Sequence, residues 1–475
     1  MRSHDLERDL ATLRDGLPPR GGKRHRVVVV GAGVAGLVCA HELLRAGHDV
    51  ELIEARQRVC GRIYTMREPF APGLYAEAGA MRIPRSHRLS IALIERAGLA
   101  VKPFRMHNPN AYCHLFGRKL RLSEFESNPA ALGEELAEQD RGLVSGARWQ
   151  ALLQPYAQRI ERDGDEGWRA IAGELDGYST REFLEKHGWS EAAIEVFGLV
   201  NNQEAIMNSC FLELLREEVG NYYTDMVRID GGSDQLTNSF LPSLRQRIRF
   251  GTRMVALDQS ERDITVHYET AAGRGRAIAD YAIVTVPFPV LRHVEVLKPF
   301  SHAKRRAVRQ LRYDASAKIF FQCRRRFWED DEGIVGGGTI TDLPIRNLYY
   351  PEAGKATGRG VLLASYTWSE DAQRWGSLAP DDRIEQAIED VAVIHPQILA
   401  EFEVGASWMW HDDPYAGGAF ALFEPGQQGL LHEHIIAPEG RVHFAGEHAS
   451  LAHAWIQGSI ESGLRAAREV HAHPA

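Results

Sequence analysis

Cysteine is scarce in this chain of 475 residues. The five cysteines are odd in number and far apart, which argues against a disulfide framework and indicates a reducing compartment. Basic residues are not in excess either, because 56 Lys and Arg against 64 Asp and Glu give a net charge of −8. That balance argues against general binding to nucleic acid or to anionic membranes.

Long hydrophobic runs are also missing. The longest uncharged apolar run, residues 27–40, is too short to span a bilayer and is interrupted by glycines. Residues 1–20 carry charges where a signal peptide needs an apolar stretch. We therefore expect a soluble, cytoplasmic protein with no membrane partner. HExxH and CxxC motifs are absent, so we also expect no metal site.

The overall composition is typical of a globular protein, with 44% hydrophobic and 25% charged residues. The length corresponds to about three domains. Residues of about 120–220 have helical spacing and predict a helical insert, whereas 248–286 and 311–370 contain strand-like runs. No repeats or Ser/Gly linkers separate these segments, so we expect domains that interleave along the chain.

Residues 27–54 contain the clearest local pattern. Four valines at 27–30 are typical of a strand buried on both faces. The sequence GAGVAG at 31–36 follows, then a helix-like stretch, and then a second apolar run that ends at Glu54. This strand–helix–strand unit carries GxGxxG at its first turn and an acidic residue 18 positions after Gly36, which predicts a dinucleotide site.

Each residue of this motif has a physical role. Gly31 permits the tight turn, Gly33 lets a pyrophosphate approach the backbone, and Gly36 allows close packing of helix on strand. The helix N-terminus supplies N–H donors and partial positive charge. Glu54 is placed to accept hydrogen bonds from the adenosine ribose, and its charge disfavours a 2′-phosphate.

Two further segments favour FAD over NAD. Residues 56–62 (RQRVCGR) form a basic turn that can reach the pyrophosphate from the other side, with Arg62 as the predicted contact. Residues 441–450 (RVHFAGEHAS) predict a strand and a Gly-Glu turn before a last helix. A second helix N-terminus suits a long ligand, with Glu447 on the ribityl hydroxyls of FAD or, alternatively, as a helix cap.

The motifs in combination resemble the flavin amine oxidase family, and within it the L-amino-acid oxidases. The resemblance runs from about residue 25 to 470 and rests on Glu54-Ala55-Arg56, Gly61-Arg62, Gly79-Ala80-Met81-Arg82, Lys318, Tyr366 and the FAGE and AWI sequences at 444–447 and 454–456. Three departures stand out. Cys60 replaces the usual Gly, Ala454 replaces the Gly of some members, and VGNYYTDM at 219–226 offers no counterpart to a pocket His.

The resemblance implies an α/β plus α fold. It has a Rossmann-like FAD domain with two dinucleotide-binding motifs, a discontinuous mixed-sheet substrate domain and a helical insert. The FAD domain is predicted at residues 25–67, 230–310 and 438–472. The substrate domain is predicted at 1–24, 68–120 and 311–437, and the helical domain at 121–229.

Arg82 is the first candidate for the substrate site. Its planar guanidinium suits a carboxylate, and its apolar neighbours mean that it needs an anionic partner. The sequence alone leaves open an internal salt bridge from Arg82 to an Asp or Glu side chain. The resemblance implies the α-carboxylate of a substrate, assisted by the hydroxyl of Tyr366.

Lys318 and Trp455 are the other catalytic candidates. Lys318 lies in an apolar strand-like run, where a lysine is costly unless it is paired, functional or able to reach the surface. The resemblance implies that it holds a water near flavin N5. That water is placed to help oxygen reoxidise the flavin or to hydrolyse the imine. Trp455, after Ala454, is implied to flank the substrate amine.

Strand alternation suggests the side-chain pocket. If residues 313–320 form one strand, Asp314 shares a face with Lys318 and points toward the same cavity. A carboxylate there suits a basic substrate such as lysine or arginine, unless Asp314 pairs with Lys318 or Arg312. Trp368 and Trp410 are predicted to shape the pocket, and aromatic walls also fit an apolar side chain.

The predicted FAD contacts extend over the whole chain. No cysteine lies in the C-terminal block where some amine oxidases tether their flavin, so we expect FAD to bind non-covalently. Besides the residues named above, Val34, Ala35, Met254, Gly446, Ile456 and Ser459 are predicted to contact FAD.

These residues together predict oxidative deamination of an L-amino acid by oxygen to a 2-oxo acid, ammonia and hydrogen peroxide. The protein would supply positioning and desolvation, and the flavin the redox chemistry. An amine oxidase, an L-amino-acid monooxygenase and a non-enzymatic flavin-fold binding protein are the alternatives. A homodimer is expected.

Overall fold

The strand Arg26–Val30 lies in the middle of a parallel five-stranded sheet. The computed structural model describes residues 6–19, 24–132 and 146–474. Val27–Val30 are buried on both faces, as their β-branched run predicts. The order of the strands in this sheet is Ile248–Arg249, Asp49–Ile53, Arg26–Val30, Tyr281–Val284 and Val442–Phe444.

Distant parts of the chain build this one sheet. The helix Val34–Arg45 follows the first strand and packs against the C-terminal helix Ile456–Ala472. Their approach is close, because a Cβ at Gly463 would lie 2.7 Å from the carbonyl oxygen of Ala35. Helices from the first and last parts of the chain therefore lie side by side in one helical layer.

A second, mixed sheet of seven strands lies elsewhere in the fold. Its order is Phe402–Met409, Ser316–Cys323, Gly360–Trp368, Asn347–Tyr349, Gly338–Thr341, Tyr112–Leu115 and Arg118–Arg121. The strand Ser316–Cys323 is buried along its whole length and pairs antiparallel with Gly360–Trp368. The register places Lys318 opposite Tyr366.

Smaller sheets complete the strand content. A four-stranded sheet contains Gly273–Ala279, Ile264–Thr270, Arg253–Gln259 and Glu295–Val296. Short ladders pair Arg312–Asp314 with Phe420–Leu422, Thr65–Met66 with Ala76–Glu77, and Met226–Ile229 with both Ile83–Pro84 and Val101–Pro103.

The described part of residues 120–220 is largely helical, as its spacing predicts. Its helices are Leu122–Ser127, Gly146–Leu175, Thr180–Lys186, Glu191–Val200 and Phe211–Val219. The longest of them is interrupted at Gly164, where the backbone is not helical. Residues 133–145 of the predicted insert lie outside the described residues. The three-domain division with its boundaries stays a prediction.

Helices elsewhere cover the sheets. They are Leu6–Asp15, Arg88–Arg96, Asp234–Asn238, Leu241–Leu244, Phe288–Leu291, His302–Gln310, Phe327–Asp330, Ser369–Gly376, Pro380–Ile394, Ile398–Glu401 and Gln427–Ile436. The helix Leu6–Asp15 packs on Arg88–Arg96 and on the C-terminal helix. Within the described ranges, we find no helix with the length and apolarity that a membrane span requires.

Candidate active site

One elongated cavity runs from the turn after the strand Arg26–Val30 to the helix Phe211–Val219. Most of the predicted site residues line it, although they come from distant parts of the chain. They are Gly31, Gly33, Val34, Ala35, Glu54, Ala55, Arg56, Gly61, Arg62, Gly79, Ala80, Met81, Arg82, Met254, Lys318, Tyr366, Trp368, Trp410, Gly446, Glu447, Ala454, Trp455, Ile456 and Ser459. The fold thus brings both predicted ends of the site into a single space.

The glycine-rich turn is shaped as its sequence predicts. Gly31 has φ +105°, and a Cβ there would lie 2.7 Å from Oγ1 of Thr285. Gly33 is the N-cap of the helix Val34–Arg45. Gly36 lies behind the turn instead of lining the cavity, and a Cβ there would lie only 2.0 Å from the carbonyl oxygen of Gly31. Gly36 therefore serves helix–strand packing and not direct contact with a ligand.

Glu54 lies at the end of the second strand, beside this turn. Its Oε2 accepts the N–H of Ala32 at 2.7 Å and its Oε1 accepts the N–H of Arg56 at 2.8 Å. Burial raises the pKa of Glu54, while these two hydrogen bonds and the nearby arginines oppose the rise. Each oxygen keeps a lone pair for a further donor, as the ribose role requires.

Arg62 and Glu447 form a buried ion pair farther along the cavity. Nη1 of Arg62 donates to Oε1 of Glu447 at 2.7 Å and to the carbonyl oxygen of Ala419 at 2.9 Å. Glu447 also accepts the N–H of Ala454 at 3.1 Å. Burial opposes ionisation of Glu447, but Arg62 and two histidines outweigh it and hold the pKa of this carboxyl below its ordinary value. The two side chains predicted to contact FAD therefore support each other.

Arg82 also lines the cavity, away from the glycine-rich turn, and its side chain is half-buried. Its Nη1 donates to Oη of Tyr349 at 3.2 Å and contacts Sδ of Met106 at 3.4 Å. The guanidinium carbon lies 5.8 Å from the ring centroids of both Tyr223 and Tyr349. Within the described residues, no carboxylate oxygen lies within 4.0 Å of the Arg82 guanidinium nitrogens. The internal Asp or Glu partner that the sequence left open is not found there.

Lys318 lies across the strand pair from Tyr366, within the same cavity wall. Its Nζ donates to the carbonyl oxygens of Glu77 at 2.9 Å and Gly79 at 2.8 Å. Only 2% of its surface is exposed, and this burial lowers the pKa of Lys318 to about 7. Nζ is therefore held in place inside the cavity and does not reach the protein surface.

Comparison with known proteins decides the family. A model of the family described as flavin containing amine oxidoreductase matches residues 34–471. The chain belongs to this family. The match covers the helix Val34–Arg45, Arg82, Lys318 and the C-terminal block, so the resemblance seen in these motifs is confirmed.

Relatives of this flavin amine oxidoreductase extend over nearly its whole length. It is 40% identical to "Putative L-amino-acid oxidase YobN" of Bacillus subtilis (strain 168), over 97% of this chain and 98% of that protein. It is 34% identical to an L-amino-acid oxidase of Vipera ammodytes ammodytes, over 99% of this chain and 97% of that protein.

Solved structures show the fold of this family member. A putrescine oxidase bound to putrescine superposes with a TM-score of 0.74 at 20% identity, over 95% of this chain and all of that chain. A cyclohexylamine oxidase from Brevibacterium oxydans IH-35A gives 0.70 at 18% identity, over 94% and 99% of the two chains. The predicted α/β fold with a flavin domain is confirmed.

The cofactor of this family is a flavin, and the cavity fits FAD. The backbones of Gly33 and Gly61 face each other, since a Cβ at Gly61 would lie 3.4 Å from Cα of Gly33. Cys60, in place of the usual Gly, has φ +96°, a conformation that glycine adopts more readily. Its thiol accepts a hydrogen bond from Thr237 at 2.8 Å, and burial raises its pKa to about 11.

Asp314 is the clearest correction to the sequence-based site. It is not among the described residues that line the cavity. The chain leaves the large sheet at Ala315, and residues Arg312–Asp314 pair with Phe420–Leu422 instead. The continuous strand on which the prediction depended therefore does not exist. Oδ1 of Asp314 accepts from Ser369 at 2.6 Å and contacts Arg312 at 3.4 Å, as the alternative interpretation expects.

Trp368 and Trp410 do line the cavity, as predicted. The ring of Trp368 lies edge-on to Tyr366 with centroids 5.3 Å apart. Nε1 of Trp410 donates to the carbonyl oxygen of Ala78 at 2.8 Å. Trp410 is therefore anchored by a hydrogen bond, whereas Trp368 packs against Tyr366.

Sequence reasoning missed Glu213, Glu217 and Tyr223, which also line the cavity. Oε1 of Glu217 accepts Nε1 of Trp455 at 2.7 Å, and its Oε2 accepts Oη of Tyr223 at 2.6 Å. One signal was available. Glu213 and Glu217 are four residues apart in a segment of helical spacing, so they share a face of the helix Phe211–Val219.

Proposed function

We propose that this chain is an FAD-dependent L-amino-acid oxidase. The observation that carries the proposal is Arg82, a guanidinium that lines the cavity beside Tyr366 and has no carboxylate partner in the described part of the chain. An amino acid supplies that carboxylate and a simple amine does not. The names of the relatives in Bacillus and Vipera, at 40% and 34% identity, support the same activity.

Arg82 binds the α-carboxylate in this proposal. Its planar fork can form two parallel charge-assisted hydrogen bonds, and Tyr366 adds a hydroxyl donor from the strand Gly360–Trp368. Trp455 closes the other side, with its indole held by Glu217. These contacts orient the Cα–H bond, and positioning of this kind lowers a reaction barrier by several kcal/mol, about 7–11 at best.

FAD, when bound, would supply a two-electron acceptor for the hydride lost from Cα, with oxygen as the final oxidant. The residues of the chain exclude bulk water from the cavity and donate or accept protons there. Nζ of Lys318 uses two of its hydrogen-bonding positions to donate to the carbonyl oxygens of Glu77 and Gly79. The remaining position can hold a water, as donor when Nζ is charged and as acceptor when it is neutral. Water held there hydrolyses the imino acid or assists reoxidation.

A substrate screen of the purified holoenzyme tests this function. Peroxide, ammonia and 2-oxo acid are measured with the twenty L-amino acids, their D-enantiomers and the corresponding decarboxylated amines. We expect all three products in equal amounts from L-amino acids only. Turnover of amines in preference to amino acids contradicts the proposal and indicates an amine oxidase. An amide product without peroxide indicates a monooxygenase, and absence of all turnover indicates a flavin-binding protein.

A further inference from the structure

Glu217 lines the same cavity as Arg82, and besides holding Trp455 it has no assigned task in the reaction. Both of its hydrogen-bond donors, Nε1 of Trp455 and Oη of Tyr223, are neutral groups. An ionised carboxylate has about four lone-pair positions. About two of them are therefore left for a ligand in the cavity.

The other acids at this part of the cavity already have cationic partners. Glu213 contacts Nδ1 of His453 at 2.8 Å and Arg216 at 3.5 Å, and Glu447 pairs with Arg62 at 2.7 Å. Glu217 has no Lys, Arg or His nitrogen within 4.0 Å in the described part of the chain. Burial accordingly raises the pKa of Glu217 to about 7. A cation is the partner that this carboxylate lacks.

One tyrosine ring separates this acid from Arg82. The guanidinium carbon of Arg82 lies 5.8 Å from the ring centroid of Tyr223, and the hydroxyl of the same ring donates to Glu217 at 2.6 Å. The cavity therefore presents a cation over the face of this ring and an anion at its hydroxyl group. A ligand with a carboxylate at one end and a positive charge several bonds away complements both.

We propose that Glu217 binds the cationic side chain of a basic L-amino acid, lysine or arginine, whose α-carboxylate lies on Arg82. The assignment of Arg82 rests on the proposed function. The α-amine is a poor candidate for Glu217, because a carboxylate against it favours the ammonium form, which has no lone pair to assist hydride loss. Thr180, Gln203 and Ser209 also line this region. The hydroxyl of Ser209 is buried without a partner in the described residues.

A binding experiment tests the proposal independently of turnover. The holoprotein is titrated with 6-aminohexanoate and with hexanoate, which differ only in the terminal cation, and the visible absorption of the flavin is followed. We expect the wild type to bind 6-aminohexanoate about ten- to a hundredfold more tightly. Glu217→Gln keeps the shape of the side chain and removes its charge, so the two affinities should become nearly equal. Equal affinities in the wild type, or a preference that survives in Glu217→Gln, overturn the proposal.

Glu218→Gln is the matched control, because Glu218 follows on the same helix and is not among the described residues that line the cavity. It should retain the preference for 6-aminohexanoate. Loss of that preference in Glu218→Gln as well would show a general disturbance of the helix and overturn the assignment to Glu217.

Turnover of L-lysine against L-norleucine, its analogue without the terminal amine, separates binding from positioning. Glu217→Gln should lower kcat/KM for lysine and arginine about ten- to a hundredfold more than it lowers kcat/KM for norleucine. An equal loss for all three makes Glu217 a positioning residue for Trp455 and overturns the proposal. If no L-amino acid is oxidised by the wild type, the proposed function fails, and the titration still decides the role of Glu217.

Discussion

Lys318 and Tyr366 lie directly opposite each other in the antiparallel strand pair, with Nζ 4.6 Å from the centroid of the tyrosine ring. The carbonyl oxygens of Glu77 and Gly79 hold Nζ from one side. A lysine surrounded in this way shares one cavity wall with the group proposed to bind substrate. Its charge is therefore sensitive to what the cavity contains.

The first prediction concerns the pH dependence of Lys318. Burial lowers its pKa from 10.5 to about 7, against the attraction of Glu77 and with the repulsion of Arg82. Nζ loses its charge as pH rises through that value, and only the neutral amine accepts a proton from water. We expect kcat to increase between about pH 6 and pH 8, and Lys318→Met to lower it about a hundredfold with loss of that inflection.

The measurement is kcat under saturating substrate and oxygen across this pH range. Burial also raises the pKa of Glu77 and of Glu217 to about 7, so the variants Lys318→Met, Glu77→Gln and Glu217→Gln are all needed. If the inflection in kcat persists in Lys318→Met and disappears in Glu217→Gln, the titrating group is Glu217. That result would contradict the assignment to Lys318.

The second prediction concerns the carboxylate site. Arg82→Lys replaces a bidentate contact by a point charge. We expect kcat/KM for amino acids to fall by a factor that corresponds to a loss of about 2–4 kcal/mol in transition-state stabilisation. The flavin content should stay the same. Arg85→Lys is the control, since Arg85 is an exposed residue that contacts Asp225 at 3.4 Å. Wild-type kinetics in Arg82→Lys would contradict the assignment.

The sequence predicted the dinucleotide end well because its determinants are local. The strand, the glycine-rich turn and Glu54 lie within 30 residues and follow rules of spacing that each segment obeys by itself. Glu217 was missed because Trp455, its partner, is 238 positions away and no local pattern joins them. Asp314 was misplaced because alternation predicts a shared face only while a strand is continuous, and this strand changes partners at Ala315.

The third prediction concerns retention of FAD. Glu54→Ala removes the predicted ribose contacts, and Gly33→Val places a branched side chain where the pyrophosphate approaches the backbone. Both should lower the ratio of flavin to protein after gel filtration. Gly177→Val is a control, because a Cβ there meets nothing within 4 Å. Retention of FAD at the wild-type level in both variants would contradict the predicted site.

The fourth prediction is that FAD is bound without a covalent link. The two thiols that line the cavity, Cys60 and Cys210, have pKa values raised by burial, and a protonated thiol is a weak nucleophile. Acid precipitation should therefore release intact FAD into the supernatant, where its absorption and mass are measured. Flavin that remains with the precipitate after denaturation would show a covalent bond.

The last prediction separates Asp314 from substrate choice. Its Oδ1 accepts hydrogen bonds from Ser369 at 2.6 Å and from the N–H of Ala315 at 3.1 Å, and it contacts Arg312 at 3.4 Å. Asp314→Ala leaves these buried donors without an acceptor, at a cost of about 1–3 kcal/mol in the free energy of unfolding. We expect a lower Tm and the same ratio of kcat/KM for lysine and leucine as in the wild type. A selective loss for lysine would instead return Asp314 to the side-chain pocket, since a residue that serves only the fold affects both substrates alike.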